Sequence, residues 1–212
     1  MLWALGQPAA LVGLLLAYFG GLILRRTVHY FAEPRGVYGA SWVEPRRDVD
    51  PFGAVAAAVG GVGWGRAPSE RCRIWGVVAA PLVIIAISIG VLGVYQALGY
   101  SSVPLELDSG SDVLHGAPGE PVEQCVLAFG VGLLAFGLVA LIPIPPLDGW
   151  RILTALNKRP SLGFQKADYW LGEQNLGIAI LLACLLLPIF RGLPVLLALL
   201  DLVITPVLRA WV

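Results

Sequence analysis

One carboxylate in this chain stands where few carboxylates do. In LIPIPPLDGWRIL (141–153) an apolar run meets Pro143, Pro145 and Pro146, and Asp148, Gly149, Trp150 and Arg151 follow at once. Proline lacks the N–H a helix needs and its ring clashes with the preceding turn, so the helix ends there. Asp148 is thus set on unwound backbone beside a membrane-length apolar run. An ionisable group at membrane depth costs about 2.5–3.5 kcal/mol on insertion scales and is by default a functional-site hypothesis. The same residues also fit a turn aspartate at a membrane boundary, paired with Arg151.

The other chemistry-bearing residues are sparse. The chain has two histidines, His29 and His115. His29 and Glu33 are four apart and would share a helix face, but Arg25 and Arg26 precede them and Pro34 follows, which reads as interfacial polar sequence. The three cysteines, Cys72, Cys125 and Cys184, form no C-x-x-C pair, so neither a disulfide framework nor a thiolate zinc site is indicated. No G-x-S-x-G elbow occurs, Ser101 and Ser102 share a loop with His115 but nothing fixes them together, and GGVGWG (60–65) lacks the strand–helix setting of a nucleotide loop. Asp201 falls inside the last apolar segment, where it either pairs with a polar group in the bundle or marks a boundary. Nucleic acid is not an expected partner, since no basic cluster with interleaved aromatics lies on a soluble domain.

The elements that must position Asp148 follow from composition. Of 212 residues 58% are apolar and only 13% charged, against roughly a quarter charged in soluble domains, and mean hydropathy is +0.80. A membrane span needs about 20 apolar residues. Five segments qualify or nearly qualify: 2–24, 74–98, 126–142, 176–190 and 193–208, the last two forming either a hairpin of spans or a shallow re-entrant pair. PFGAVAAAVGGVGWG (51–65) is apolar and too short to cross, and reads as a re-entrant or interfacial element. The expected fold is therefore an all-α polytopic membrane protein, a single membrane domain over 1–212 embedded in the lipid bilayer.

Charge sets the expected orientation. With the N-terminus outside, 13 of the 14 Lys and Arg fall on the inner side, in 25–73, 143–175 and at Arg209, leaving Arg191 outside. Positive residues near span ends concentrate on the cytoplasmic side. The loop over 99–124 has no Lys or Arg but carries Glu106, Asp108, Asp112, Glu120 and Glu123, as an irregular external loop would. Trp75, Trp150, Trp170 and Trp211 fall near the inner boundary and Trp3 near the outer one. The expected location is the inner (plasma) membrane, multi-pass, with the C-terminus cytoplasmic.

Several motifs together resemble the site-2 proteases, the intramembrane zinc metalloproteases, in their small bacterial form. Pro143, Pro145, Leu147, Asp148 and Gly149 are in register with the family's N-x-x-P-x-P-x-L-D-G. VEPRRDVDPFG (43–53) is similar to N-P-x-x-H-x-D-P-x-G through Pro45, Asp50, Pro51 and Gly53. VGWGRAP (62–68) resembles the G-W-A-K-P loop through Gly63, Trp64 and Arg66, and AAPLV (79–83) the A-G-P of the second core helix. The resemblance covers about 10–205 and implies a three-helix core with the re-entrant element after the first helix. It also makes Asp148 the family's third zinc ligand. The departures are chemical. The H-E-x-x-H of the first core helix, which puts two zinc-binding histidines on one face with a glutamate base, has no counterpart in LLLAYFGGLILRRTV (14–28). Ala140 and Ile84 replace two signature asparagines, and Asp48 a histidine. The implied function is a catalytically degenerate pseudoprotease, with no catalytic residue and no cofactor, that binds or scaffolds a membrane-protein client held by strand addition along 43–65. The alternative is an active zinc endopeptidase with unconventional ligands, Asp148 with His29 and Glu33 as stand-ins.

Overall fold

The computed structural model describes residues 1–34, 48–69, 72–100, 110–157, 159–190 and 193–210. Pro45 of the second motif, Arg191 and Gly192 of the expected hairpin, residues 101–109 of the expected external loop, and Trp211 lie outside the described residues.

Three long apolar helices form the centre: α1 (Pro8–Ala32), α3 (Ile74–Ala97) and α4 (Pro121–Ala140). α1 and α4 run in the same direction. Small residues one turn apart bring them together: Gly13 faces Cys125 and Ala128, Ala17 faces Gly132, and Gly21 lies against the Phe136 ring. A methyl group on Gly13 would collide with the Cys125 carbonyl oxygen, so the two backbones approach as closely as small-residue membrane interfaces allow. α3 runs the opposite way, with Gly76 against Ala32 at one end and Leu92 against Gly130 further along. The Ser88 hydroxyl donates to the Gly130 carbonyl at 2.8 Å. Both α1 and α4 begin on proline, which lacks only an N–H that the first turn leaves unbonded anyway.

Residues 51–65 double back inside this frame. α2 (Pro51–Gly60) is capped by the Asp50 carboxylate, which accepts from the Phe52 and Gly53 amides at 2.8 and 3.3 Å. Gly61, at φ +76°, closes the helix in the left-handed conformation that glycine adopts without a Cβ clash. The chain then returns extended: Gly63 beside Tyr18, Gly65 beside Leu22, Arg66 beside Arg25. An isolated antiparallel bridge pairs Val49 with Gly65, and the Arg66 amide donates to the Asp48 carbonyl at 3.0 Å. Asp50, Pro51 and Gly53 thus have local structural roles: cap, first-turn residue, and a gap for the Trp64 carbonyl.

The segment over 99–124 is not wholly irregular. Gly110–Leu114 form a 3-10 turn that tucks inward, with Ser111, Val113 and Leu114 buried and Leu114 against Gly61. Asp201 holds it: Oδ1 accepts from the Ser111 amide at 2.7 Å and Oδ2 from the Ser111 hydroxyl at 2.8 Å. Of the two readings of Asp201, the pairing within the bundle is the one observed.

Five spans are expected from the sequence, with four as the fallback, and the described helices give fewer than five. Among the described residues three helices are long and apolar enough to cross a membrane, or four if a bent pair counts as one span. After α5 (Asp148–Leu156) and α6 (Leu162–Asp168), a π-helical turn over Tyr169–Glu173 leads at a 70° bend into α7 (Leu176–Leu186). α7 has 11 residues and α8 (Val195–Arg209) has 15, both short of a crossing. A short antiparallel hairpin, β1 (Pro188–Phe190) with β2 (Leu193–Pro194), joins them. Pro188 lies just past the end of α7, and Pro194 caps the start of α8. The first span also shifts: Leu2–Gly6 is a separate 3-10 turn, and α1 continues past Arg25 to Ala32.

Candidate functional site

The end of α4 builds the site. Pro143, Pro145 and Pro146 prevent continuation, and α5 restarts at Asp148, on its first turn. Gly149 is packed against the Leu141 and Ile142 carbonyls so tightly that any side chain there would collide. This turns the Asp148 carboxylate back into the bundle, where it is fully buried (0% exposed).

Its partner is Arg25 of α1, itself 7% exposed. Nε donates to Oδ2 at 2.8 Å and Nη2 to Oδ1 at 2.6 Å, a two-pronged guanidinium–carboxylate pair. Nη1 donates to the Arg66 carbonyl at 2.6 Å. One side chain therefore ties α1, the return strand of the 51–65 hairpin and α5. The expectation that Asp148 pairs with Arg151 is corrected: Arg151 lies on the side of α5 that faces a cleft of about 310 Å³ with Cys72 and Ile74.

His29, one turn beyond Arg25 on the same face, is buried within the protein (4% exposed). Its Nε2 lies 4.0 Å from Asp148 Oδ1 and has no hydrogen-bond partner among the described residues. Glu33 points elsewhere. It accepts from Arg26 Nη1 at 3.0 Å and from the Ser69 hydroxyl at 3.2 Å, and Arg26 Nε also reaches Asp48 at 3.7 Å. Cys72 borders the cluster, its Sγ 4.0 Å from the His29 carbonyl. Burial, with Glu33 and Asp148 adding to it, pushes the Cys72 thiol up to about 11, so it is a packing residue and not a nucleophile at neutral pH.

Among the described residues, the donor set beside Asp148 falls short of a zinc site. A zinc hydrolase site takes about three protein ligands plus an open position. Only His29 and Asp148 converge here, Glu33 is engaged elsewhere, and among the described residues no group of three or more His, Cys, Asp or Glu could hold a metal ion. Both Asp148 oxygens already accept from a fixed cation. His115, the other histidine, sits beyond the tucked 110–114 turn and takes no part in the cluster; burial lowers its pKa.

Arg25 is the residue that sequence reasoning missed. The buried stripe of α1 runs Gly13, Leu14, Ala17, Tyr18, Gly21, Leu22, Arg25, His29, Ala32. Extending that helical period through the charges, and not stopping at them, would have placed Arg25 and His29 on the inward face. No family model matches the chain, and no curated protein or solved structure matches it either.

Proposed function

We propose that this chain is a multi-pass membrane protein with a site-2-protease-like core that has lost hydrolytic chemistry and serves to bind or scaffold a membrane-protein client. The carrying observation is the Arg25–Asp148 pair with His29 beside it. Arg25-Arg26-Thr27-Val28-His29 has the spacing of H-E-x-x-H, with a guanidinium where the first histidine would stand and Arg26 where the base would. On this reading the register lies one turn further along α1 than residues 14–28 suggest, and a permanent cation has taken the position of an exchangeable one. The long apolar helices and the one-sided Lys/Arg distribution support an N-terminus outside and the basic loops in the cytoplasm. The endopeptidase alternative rests on His29 and Asp148 alone, one donor short of a usable site.

The return strand 61–65 is buried against α1 and α2, Val62 being 3% exposed. The outer face of α2, where Phe52 and Val55 are 50% and 54% exposed, is the exposed part of this element that a client would meet first. Metal analysis of purified protein, with a cleavage assay on a transmembrane peptide and photo-crosslinking from Val55 in cells, tests the reading. The expected outcome is well under one zinc per chain, no cleavage, and a reproducible adduct to one membrane protein. Stoichiometric zinc lost in Asp148→Ala would overturn the degenerate reading. Absence of any intermolecular adduct would overturn the scaffold.

A further inference from the structure

The segment from α5 through the π-helical turn carries an apolar surface that is exposed among the described residues. α6 and the following turn contain no buried residue. α6 meets α5 through Trp150, whose ring stacks on Phe164 at 5.4 Å between centroids and whose Nε1 donates to Asp168 at 2.8 Å, and the turn beyond it lies against α7, with the Leu171 carbonyl beside Gly177. Phe164 and Asp168 form the face of α6 that meets Trp150. The opposite face, at helical spacing, is Leu162, Lys166 and Tyr169. Leu156 and Leu162 are 75% and 77% exposed, Leu153, Tyr169 and Trp170 less so. Leucines this exposed on one limb need another apolar phase.

Continuity identifies that phase. The limb begins where α1 ends and α3 begins, and at that level Phe31, Ile74 and Trp75 are also exposed. These residues close the outward apolar surface of helices long enough to cross a membrane, and Leu153, Leu156 and Leu162 extend the same surface sideways. Charge identifies its composition. From 149 to 175 the sequence has Arg151, Lys158, Arg159 and Lys166 against Asp168 and Glu173, and Asp168 is turned toward Trp150. Long basic side chains beside exposed leucine and aromatic rings suit an interfacial helix whose cations reach anionic headgroups.

We infer that residues 150–157 and 159–173 form an interfacial limb lying on the membrane surface, with Leu156, Leu162 and Tyr169 in the acyl boundary and Arg159 and Lys166 on anionic lipid headgroups. This inference rests on the membrane reading above. The test replaces Leu82, Leu156 or Leu162, one at a time, with a fluorescent amino acid in the full chain, reconstituted in mixed phosphatidylglycerol–phosphatidylcholine vesicles. Leu82, 52% exposed on α3, reports the membrane reading itself. Brominated lipid should quench all three positions and aqueous iodide none. Bromination of phosphatidylglycerol alone should quench Leu156 and Leu162 more than bromination of phosphatidylcholine alone. The difference should match roughly a fivefold local enrichment, about that of one surface cation, and should vanish in Lys158→Gln/Arg159→Gln/Lys166→Gln. Iodide quenching at 156 and 162 with lipid quenching at 82 would overturn the limb and leave the membrane reading standing. Iodide quenching at 82 would overturn both. Protection from both quenchers at 156 and 162 would mean a protein covers the limb, and equal quenching by the two brominated lipids would overturn the anionic preference.

Discussion

Removing Arg25 leaves Asp148 as a carboxylate with no exposure and no cation. Arg25→Met keeps much of the side-chain volume and deletes all three donors. Breaking one partner of a buried pair costs about 3–5 kcal/mol because the remaining charge is stranded. The Arg66 carbonyl also loses its partner, but it is only part-buried and water can replace the donor. The expected loss is therefore about 3–5 kcal/mol, a large share of the 5–15 kcal/mol typical of folded domains. For a chain of 150–250 residues each kcal/mol moves Tm by about 2–4 °C, so a fall of about 6–20 °C is expected in detergent or nanodiscs. Asp148→Asn should cost a similar amount, since it strands the guanidinium. The pair itself is a different matter. Two buried charges exchanged together for apolar groups of similar volume are often neutral or stabilising, so Arg25→Met/Asp148→Leu should recover most of the loss. The double-mutant cycle should give a coupling of at least about 3 kcal/mol. Additive losses, or an Arg25→Met protein within about 1 kcal/mol of the parent, would refute the claim that this pair joins the three elements.

The α1–α4 contact gives a second expectation: Gly13→Ala should destabilise by about 1–3 kcal/mol through overpacking, whereas Gly90→Ala, with open space around it, should be neutral or stabilise by a few tenths to about 1 kcal/mol; both are read by the same unfolding assay. Cys72, with its thiol pushed up from 9.0 to about 11, has about a hundredfold less thiolate than an ordinary cysteine below pH 9. Its alkylation in a Cys125→Ala/Cys184→Ala background should be at least that much slower than in the unfolded chain at pH 7.5, and should rise tenfold per pH unit up to about 11. For orientation, membrane-impermeant maleimide should label Glu120→Cys and not Lys166→Cys in intact cells; both sites are exposed on the protein, and labelling of Lys166→Cys from outside would reverse the topology.

The core was readable because its signals are long. Runs such as 74–98 and 126–142 have no other stable use than a buried or membrane helix, and the observed α3 and α4 lie within a few residues of them. The 51–65 turn-back was readable from glycine content and length. Asp148 was readable because three prolines isolate it. Its partner was not. Arg25 looks like the end of a span, and hydropathy treats any charge as a boundary. What overrides hydropathy here is a carboxylate 123 residues away in sequence, which single-sequence periodicity does not contain. The same limit explains Gly110–Leu114, whose burial depends on Asp201 90 residues on. The C-terminal segments are left open by the sequence, which offers either two spans or a re-entrant pair; the helices there, Leu176–Leu186 and Val195–Arg209, are 11 and 15 residues long.

A guanidinium and a metal ion differ in what they leave open. A bound metal leaves a coordination position for water, and it can leave the site and return. Arg25 is covalently part of α1, stays charged at all relevant pH values, and spends its three donor positions on groups that hold neighbouring elements in place. Polarising a water at Asp148 would require breaking the contact that joins α1 to α5. On the proposed reading, stability and hydrolysis would compete for the same carboxylate, and the observed Arg25 contacts favour stability. His29 Nε2, which has no hydrogen-bond partner among the described residues, lies beside that carboxylate. This makes the pair Arg25→His/Arg26→Glu the informative reversal. It would remove the fixed cation, free both Asp148 oxygens, and set two histidines four residues apart facing a carboxylate, a three-donor set suited to zinc. If the centre descends from a metal site, this double variant should bind about one zinc per chain and regain with zinc the stability it loses without it. If it binds no zinc while still folding, the resemblance in spacing between 25–29 and H-E-x-x-H carries no history, and the arginine–aspartate centre is a structural tie only.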